Sequence, residues 1–129
     1  MPDSFSVEYK YLPATGMING SGQPIPGNDS ADLCVMLEDR SSGIVKRVAT
    51  AWYRTAQTTS DWTELKLRLQ YGPLTSPAHY EVPKPPAIWG TGLETPTHIV
   101  VIFVSSARGD FYEGAPGSLL FVDEFRLYY

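Results

Sequence analysis

Hydrophobic and polar residues alternate along much of the chain, and the alternating runs are separated by stretches rich in Gly and Pro. Alternation with a period of two is typical of a β-strand that buries one face. No segment shows the 3.6-residue periodicity of an amphipathic helix. The pattern therefore predicts an all-β protein, with strands over residues 5–11, 32–38, 44–54, 61–71, 99–104 and 120–129.

Three of these strands carry more detail. Residues 61–71 place leucines on one face and charged or polar residues on the other, which predicts one buried and one solvated face. Residues 99–104 are apolar on both faces, so we expect this strand in the middle of a sheet that is covered on both sides. The closing strand changes phase along its length, which predicts a β-bulge near residues 123–124.

Long loops connect several of the strands. Residues 13–31 form one loop, and residues 105–118 form a polar loop rich in Gly and Ser. Residues 72–96 contain six Pro and three Gly, which exclude a central helix or strand over most of the segment and leave room for a short edge strand near 79–82. Strands separated by such turns predict a single domain over residues 1–129, an antiparallel β-sandwich of the jelly-roll type.

The net charge and the length of the apolar runs argue against two classes of partner, nucleic acids and membranes. A net charge of −4 with scattered basic residues does not suit binding to a nucleic-acid backbone. No apolar run approaches the length of a membrane span. We therefore expect no nucleic-acid partner and no membrane insertion by this segment.

Cys34 is the single cysteine of the chain, so no internal disulfide can form. Its place in an alternating run predicts an inert, buried thiol.

Four segments follow one another in an order that resembles a known family. They are FSVEYKYLP (5–13), DLCVMLED (32–39), DWT (61–63) and FVSSARGD…EGAPGSLLFVDEFRLYY (103–129). Together they resemble the putative carbohydrate metabolism domain and related surface-protein domains of Bacteroidetes. The Gly-Ser-x-Leu-x-Val-Asp run also resembles galactose-binding-like carbohydrate modules.

The resemblance has implications for fold and location. It implies a galactose-binding-like jelly roll that is secreted or displayed at the outer cell surface. The domain would be one part of a larger protein, whose signal peptide or lipoprotein anchor is absent from this chain. It also implies further strands before residue 5, so that the sandwich is either incomplete or completed by a partner.

Aromatic side chains are the candidates for ligand binding, because sugars stack their C–H faces on aromatic rings and bond their hydroxyls to flanking polar groups. Trp89 lies in a stiff Pro/Gly-rich loop, where it either stacks on a sugar or packs back as a hydrophobic plug. Trp52 and Tyr53 point to opposite faces of one strand, so one is expected in the core and the other on the outer face beside Arg54. Tyr112, in the last polar loop, completes the set.

Carboxylates are considered as ligands of a structural calcium ion, which takes oxygen ligands only. The candidates are Asp29 and Asp32 near one strand start and Asp123 in the closing strand, none of them in a contiguous ligand loop. Solvated acids and turn caps are the alternative, and no other cofactor is expected. Asp110 is interpreted as a residue that locks its own Gly-rich loop by accepting backbone N–H bonds.

No catalytic constellation is present in the sequence. The two histidines, His79 and His98, have no neighbouring nucleophile, and no hydrolase elbow or phosphate-binding loop occurs. Carboxylates are numerous enough to supply a glycosidase pair, which needs two carboxyl groups about 5–9 Å apart in a cleft. A small sandwich without helical insertions gives such a pair little shelter from water, so we expect a protein that is not an enzyme.

Two hypotheses for function remain. The first is a non-catalytic carbohydrate-binding or glycan-utilisation accessory domain, with a poly- or oligosaccharide as its ligand and other domains of the same surface protein as further partners. The second is a structural or adhesion module that pairs its sheet edges with protein partners.

Overall fold

The computed structural model describes all 129 residues and contains two antiparallel sheets that pack face to face. The strands are β1 Ser4–Leu12, β2 Ala31–Asp39, β3 Lys46–Thr55, β4 Thr59–Arg68, β5 Gln70–Tyr71, β6 Ile88–Trp89, β7 His98–Val104 and β8 Leu119–Tyr128. Two short 3-10 turns, His79–Glu81 and Gly109–Phe111, lie in the loops. The prediction of an all-β antiparallel sandwich is confirmed.

The two sheets differ in size and in strand order. The smaller sheet has the order β4-β1-β8, and the larger has the order β5-β3-β2-β7. β6 pairs in parallel with one end of β3. Neither helical turn has the length or the apolar character that crossing a membrane requires.

The core between the sheets follows the alternation of the central strands. Four residues of β1 and three of β2 supply most of it: Phe5, Val7, Tyr9, Tyr11, Leu33, Val35 and Leu37. β2 is buried over its whole length on both faces. Cys34, on the outer face of β2, is a free buried thiol as predicted, and burial raises its pKa to about 12.

The strand predicted over residues 61–71 is divided between the two sheets. β4 ends in the smaller sheet, whereas β5 pairs with β3 in the larger one. Leu69, at the crossing, is buried. The alternation continues through the switch because both sheets face the same core. The segment near 79–82 forms a 3-10 turn, so the expected edge strand is wrong.

The prediction that residues 99–104 lie in the middle of a sheet is also wrong. β7 pairs with β2 alone and forms the edge of the larger sheet, and Ile99 and Val101 are 45% and 41% exposed. The strand is apolar on both faces for a different reason. Its register with β2 turns one set of residues to the sandwich interior and the other set, including Ile102 and Val104, to the outer face of the sheet.

The bulge predicted in the closing strand is confirmed. Between the pairs Ser6–Arg126 and Glu8–Asp123, β8 contains one more residue than β1. Glu124 lies in this bulge with a positive φ of 51°. The extra residue lets the apolar positions on both sides of the bulge face the core.

Candidate functional site

A groove of about 610 Å³ lies on the outer face of the larger sheet. Its floor comes from three strands, with Asp32 from β2, Trp52 and Arg54 from β3, and Ile102 and Val104 from β7. The register explains why these residues meet: Asp32 is paired with both Arg54 and Val104, and directly paired residues share a face. The strands that build the core therefore also build the groove floor, through their alternate residues.

Two loops form the walls of the groove. The first wall contains the 3-10 turn after β5 and carries His79, Tyr80 and Lys84, and the second wall is the segment 106–111. The walls meet at the rim, where Lys84 Nζ lies 2.5 Å from a carboxylate oxygen of Asp110. This hydrogen bond is the main reason why the pKa of Asp110 is lowered.

An ion pair fixes the floor of the groove and ties the first wall to it. Arg54 donates to both carboxylate oxygens of Asp32 at 2.7 Å, and the Asp32 side chain is only 4% exposed. The guanidinium carbon of Arg54 also lies 3.6 Å from the centre of the Tyr80 ring, and that ring lies 5.4 Å from the Trp52 ring. The hydrogen bond to Asp32 raises the pKa of Arg54, so the guanidinium stays charged.

The second wall is anchored from beneath by Asp29, which is 1% exposed. Its Oδ2 accepts hydrogen bonds from the hydroxyls of Ser106 and Ser118, both at 2.7 Å, and from the backbone N–H of Ala115 at 2.9 Å. One buried carboxylate thus holds both ends of the last polar loop. The interpretation of Asp110 as the lock of this loop is wrong, because Asp29 locks it and Asp110 joins the two walls instead.

Of the five predicted ligand-binding residues, the structure brings Trp52 and Arg54 together in the groove. Tyr53 faces the opposite side of β3, where its ring lies 6.2 Å from that of Tyr9. Burial is the first cause that raises the pKa of Tyr9 to about 12, and the neighbouring Tyr53 adds to it. Tyr53 is therefore the core member of its pair and Trp52 the outer one.

Trp89 and Tyr112 lie outside the groove. Trp89 is half-buried in β6, with its ring 5.8 Å from the guanidinium carbon of Arg47. Tyr112 is 80% exposed and lines a shallow second depression beside Ile18 and Asn19.

Most of the groove residues were not predicted from the sequence, among them Tyr80, Lys84, Arg108 and Phe111. Tyr80 and Lys84 come from the Pro-rich segment, whose path no local pattern fixes. Phe111 directly precedes Tyr112 in the chain, so residue type pointed to the correct loop but not to the ring that faces the groove.

The three calcium candidates lie in separate environments. Asp29 is occupied by its hydroxyl and N–H donors, and Asp32 by Arg54. Asp123 accepts the backbone N–H of Glu124 at the surface. No group of three or more His, Cys, Asp or Glu side chains with the arrangement of a metal site is present.

Two solved structures share this fold. A putative glycoside hydrolase from Bacteroides thetaiotaomicron matches with a TM-score of 0.74 and 23% sequence identity, over 100% of this chain and 38% of that one. A putative glycoside hydrolase from Bacteroides vulgatus matches with a TM-score of 0.72 and 18% identity, over 98% of this chain and 52% of that one. This chain thus spans less than two thirds of the length of either protein.

A family model also matches the sequence of this chain. Among curated proteins, none matches this chain. The model of the putative carbohydrate metabolism domain matches residues 2–128, which confirms the resemblance carried by the four segments. Because the match covers nearly the whole chain, we conclude that this protein belongs to the putative carbohydrate metabolism domain family.

Proposed function

We propose that this domain binds poly- or oligosaccharides in the groove and does so without catalysis. The observation that carries the proposal is that three aromatic rings, those of Trp52, Tyr80 and Phe111, line one concave surface with charged groups around them. Sugar rings bind to such surfaces through their C–H faces and through hydroxyls bonded to flanking polar groups. The groove volume of about 610 Å³ also lies in the usual range for small-ligand sites, about 300–1,000 Å³.

The chemistry of the floor and the rim suits hydroxyl groups. Arg54 uses only part of its donor capacity on Asp32, which leaves N–H groups for a ligand. Phe111 is 58% exposed at the rim, so its ring is accessible for stacking. The ion pair and the Tyr80 stack hold the floor rigid, and a pre-organised site loses less entropy when a ligand binds.

The state of the two groove carboxylates supports binding rather than hydrolysis. Asp32 is held by Arg54, and Asp110 is held by Lys84. A glycosidase needs one carboxyl group that stays protonated because its pKa is raised. The pKa of Asp110 is instead lowered, so it is poorly suited to donate a proton to a leaving group.

We infer that the domain is an accessory part of a secreted or surface-displayed protein. Two longer Bacteroides proteins that share its fold are named putative glycoside hydrolases, and this chain corresponds to 38% and 52% of their lengths. A binding domain beside a further region of the same chain would hold that region close to a polysaccharide.

The variant Phe111→Ala is expected to weaken glycan binding about tenfold, because it removes the accessible ring of the groove. Binding is measured as quenching or a blue shift of tryptophan fluorescence with a panel of plant, host and microbial polysaccharides, since Trp52 lines the groove. Tyr112→Ala is the matched control, because it removes a neighbouring and more exposed ring outside the groove. An equal loss in both variants, or a folded domain that binds no member of the panel, would contradict the proposal.

The open side of the sandwich favours the second hypothesis, assembly through sheet edges. β7 ends the larger sheet and β8 ends the smaller one, and between them the sandwich interior is exposed to solvent. Four apolar residues there are about two-fifths exposed or more: Ile99, Val101, Val122 and Phe125. An unpaired apolar edge is suited to accept a strand from a protein partner or from another domain of the same protein.

If this side pairs with other strands, the isolated domain is expected to self-associate as its concentration rises. Val101→Lys, which places a charge on the edge strand, is expected to keep the domain monomeric. Sedimentation velocity over a concentration series measures both results. A wild-type domain that stays monomeric throughout would count against assembly through this edge.

A further inference from the structure

We propose that the groove selects acidic glycans, whose sugars carry carboxylate groups. This inference rests on the proposed function and names the ligand class of the same site. Its basis is the surroundings of Phe111 at the rim. Lys84 Nζ lies 5.8 Å and the Arg108 guanidinium carbon 5.9 Å from the centre of the Phe111 ring, and all three residues line the groove.

Both cations lie over the Phe111 ring, so a sugar that stacks on this ring lies next to them. A pyranose that stacks on Phe111 lies parallel to the aromatic plane and projects its C5 substituent beyond the ring perimeter. In a neutral hexose this substituent is a hydroxymethyl group, whereas in a uronate it is a carboxylate. At close to 6 Å from the ring centre, the two cations are placed to receive that carboxylate through charge-assisted hydrogen bonds.

The present partners of the two cations differ in exposure. Lys84 is paired with Asp110, and their side chains are 70% and 48% exposed. Arg108 is paired with Glu113, and their side chains are 56% and 21% exposed. Exposed ion pairs contribute little to stability, so a ligand carboxylate competes for Lys84 at small cost, whereas Arg108 can divide its N–H donors between Glu113 and the ligand.

Arg54 differs from the two rim cations because its partner is buried in the floor of the groove. We therefore place the subsite for a ligand carboxylate at the rim. The two hydrogen bonds from Arg54 to Asp32 are made below the rim, where the Asp32 side chain is nearly inaccessible. Arg54 and Asp32 therefore neutralise each other in the floor. The rim carries two cations, Lys84 and Arg108, each beside one acidic side chain, Asp110 and Glu113, so its positive charge becomes available when a ligand carboxylate takes the place of these partners.

The test compares acidic with neutral polymers, and its first pair differs mainly in charge. Polygalacturonate is measured against highly methyl-esterified pectin, and alginate and hyaluronan against neutral polysaccharides, by affinity electrophoresis and calorimetry at low and high salt. We expect at least one acidic polymer to bind about tenfold or more tightly than its neutral counterpart, and this preference to shrink in 0.5 M salt as screening increases.

Variants locate the effect at the rim. Lys84→Gln and Arg108→Gln are each expected to weaken binding of the acidic polymer several-fold, and by a larger factor than they weaken binding of a neutral polymer. Asp110→Asn is expected to strengthen it, because the variant frees Lys84 and keeps the side-chain shape. Arg126→Gln is the matched control, since it removes an exposed cation from the smaller sheet, outside the groove.

The outcomes separate this inference from the proposed function. If neutral glycans bind in the groove as tightly as acidic ones, or if Arg126→Gln has the same effect as Arg108→Gln, the acidic preference is overturned and glycan binding stands. If the folded domain binds no polymer of either kind, both proposals fail.

Discussion

Replacing Asp29 by alanine is expected to lower the free energy of unfolding by about 3 kcal/mol, more than any surface substitution in this domain. The carboxylate is 1% exposed and accepts hydrogen bonds from the hydroxyls of Ser106 and Ser118 and from the backbone N–H of Ala115. Hydrogen bonds to a charged group are stronger than neutral ones, and alanine leaves the buried donors without an acceptor. Urea unfolding, monitored by tryptophan fluorescence, measures this change in the free energy of unfolding. It is obtained from the shift of the urea midpoint, provided that the dependence of the free energy on urea concentration is the same in both proteins.

Asp123→Ala provides the matched control for this prediction. It removes a carboxylate that lies at the surface and accepts one local backbone N–H, so the free energy of unfolding should change by no more than about 0.5 kcal/mol. If Asp29→Ala also stays within this limit, Asp29 does not hold the polar loop together. A loosened loop would move Phe111 as well, so glycan binding should weaken in Asp29→Ala under conditions where it remains folded.

The strands could be predicted from the sequence because they follow from the local alternation of apolar and polar residues. Alternation in residues 5–11 reflects the one buried face of β1, and the alternate residues Leu33, Val35 and Leu37 form the core face of β2, which is buried on both faces. The bulge at Glu124 could also be predicted, since one inserted residue shifts the alternation by one position and leaves the apolar residues on both sides of it facing the core.

The position of each strand within its sheet was harder to predict from the sequence. The leucine alternation near Leu69 is the same whether or not the chain changes sheets, because both sheets share one core.

Only part of the groove could be predicted from the sequence, since its residues come from distant parts of the chain. Trp52 and Arg54 belong to a strand whose outer face could be predicted. Tyr80 and Phe111 reach the groove through loops whose paths are set by tertiary contacts, one with Arg54 in the floor and one through the buried Asp29. No local pattern marks Asp29 as the residue that holds a loop beginning about 75 positions later, so its role could be found only from the structure.

Breaking the ion pair in the groove floor should have the second large effect. Arg54→Met is expected to lower the free energy of unfolding by about 3 kcal/mol, because it leaves the Asp32 carboxylate buried without its partner. It also removes the cation that stacks on Tyr80, 3.6 Å from the ring centre, so the first wall loses its contact with the floor. Urea unfolding measures the loss of stability, and the fluorescence assay measures the loss of glycan binding.

The double variant Asp32→Leu, Arg54→Met separates the two consequences. Replacing a buried ion pair by apolar residues of similar volume is often nearly neutral, so the double variant should recover all but about 1 kcal/mol of the stability lost in Arg54→Met. Glycan binding should not recover, since the guanidinium that we propose as a donor to the sugar is still missing. If stability and binding return together, Arg54 acts only by holding the fold. If neither returns, the Tyr80 stack rather than the ion pair holds the floor, and Tyr80→Leu should then reproduce the loss of stability.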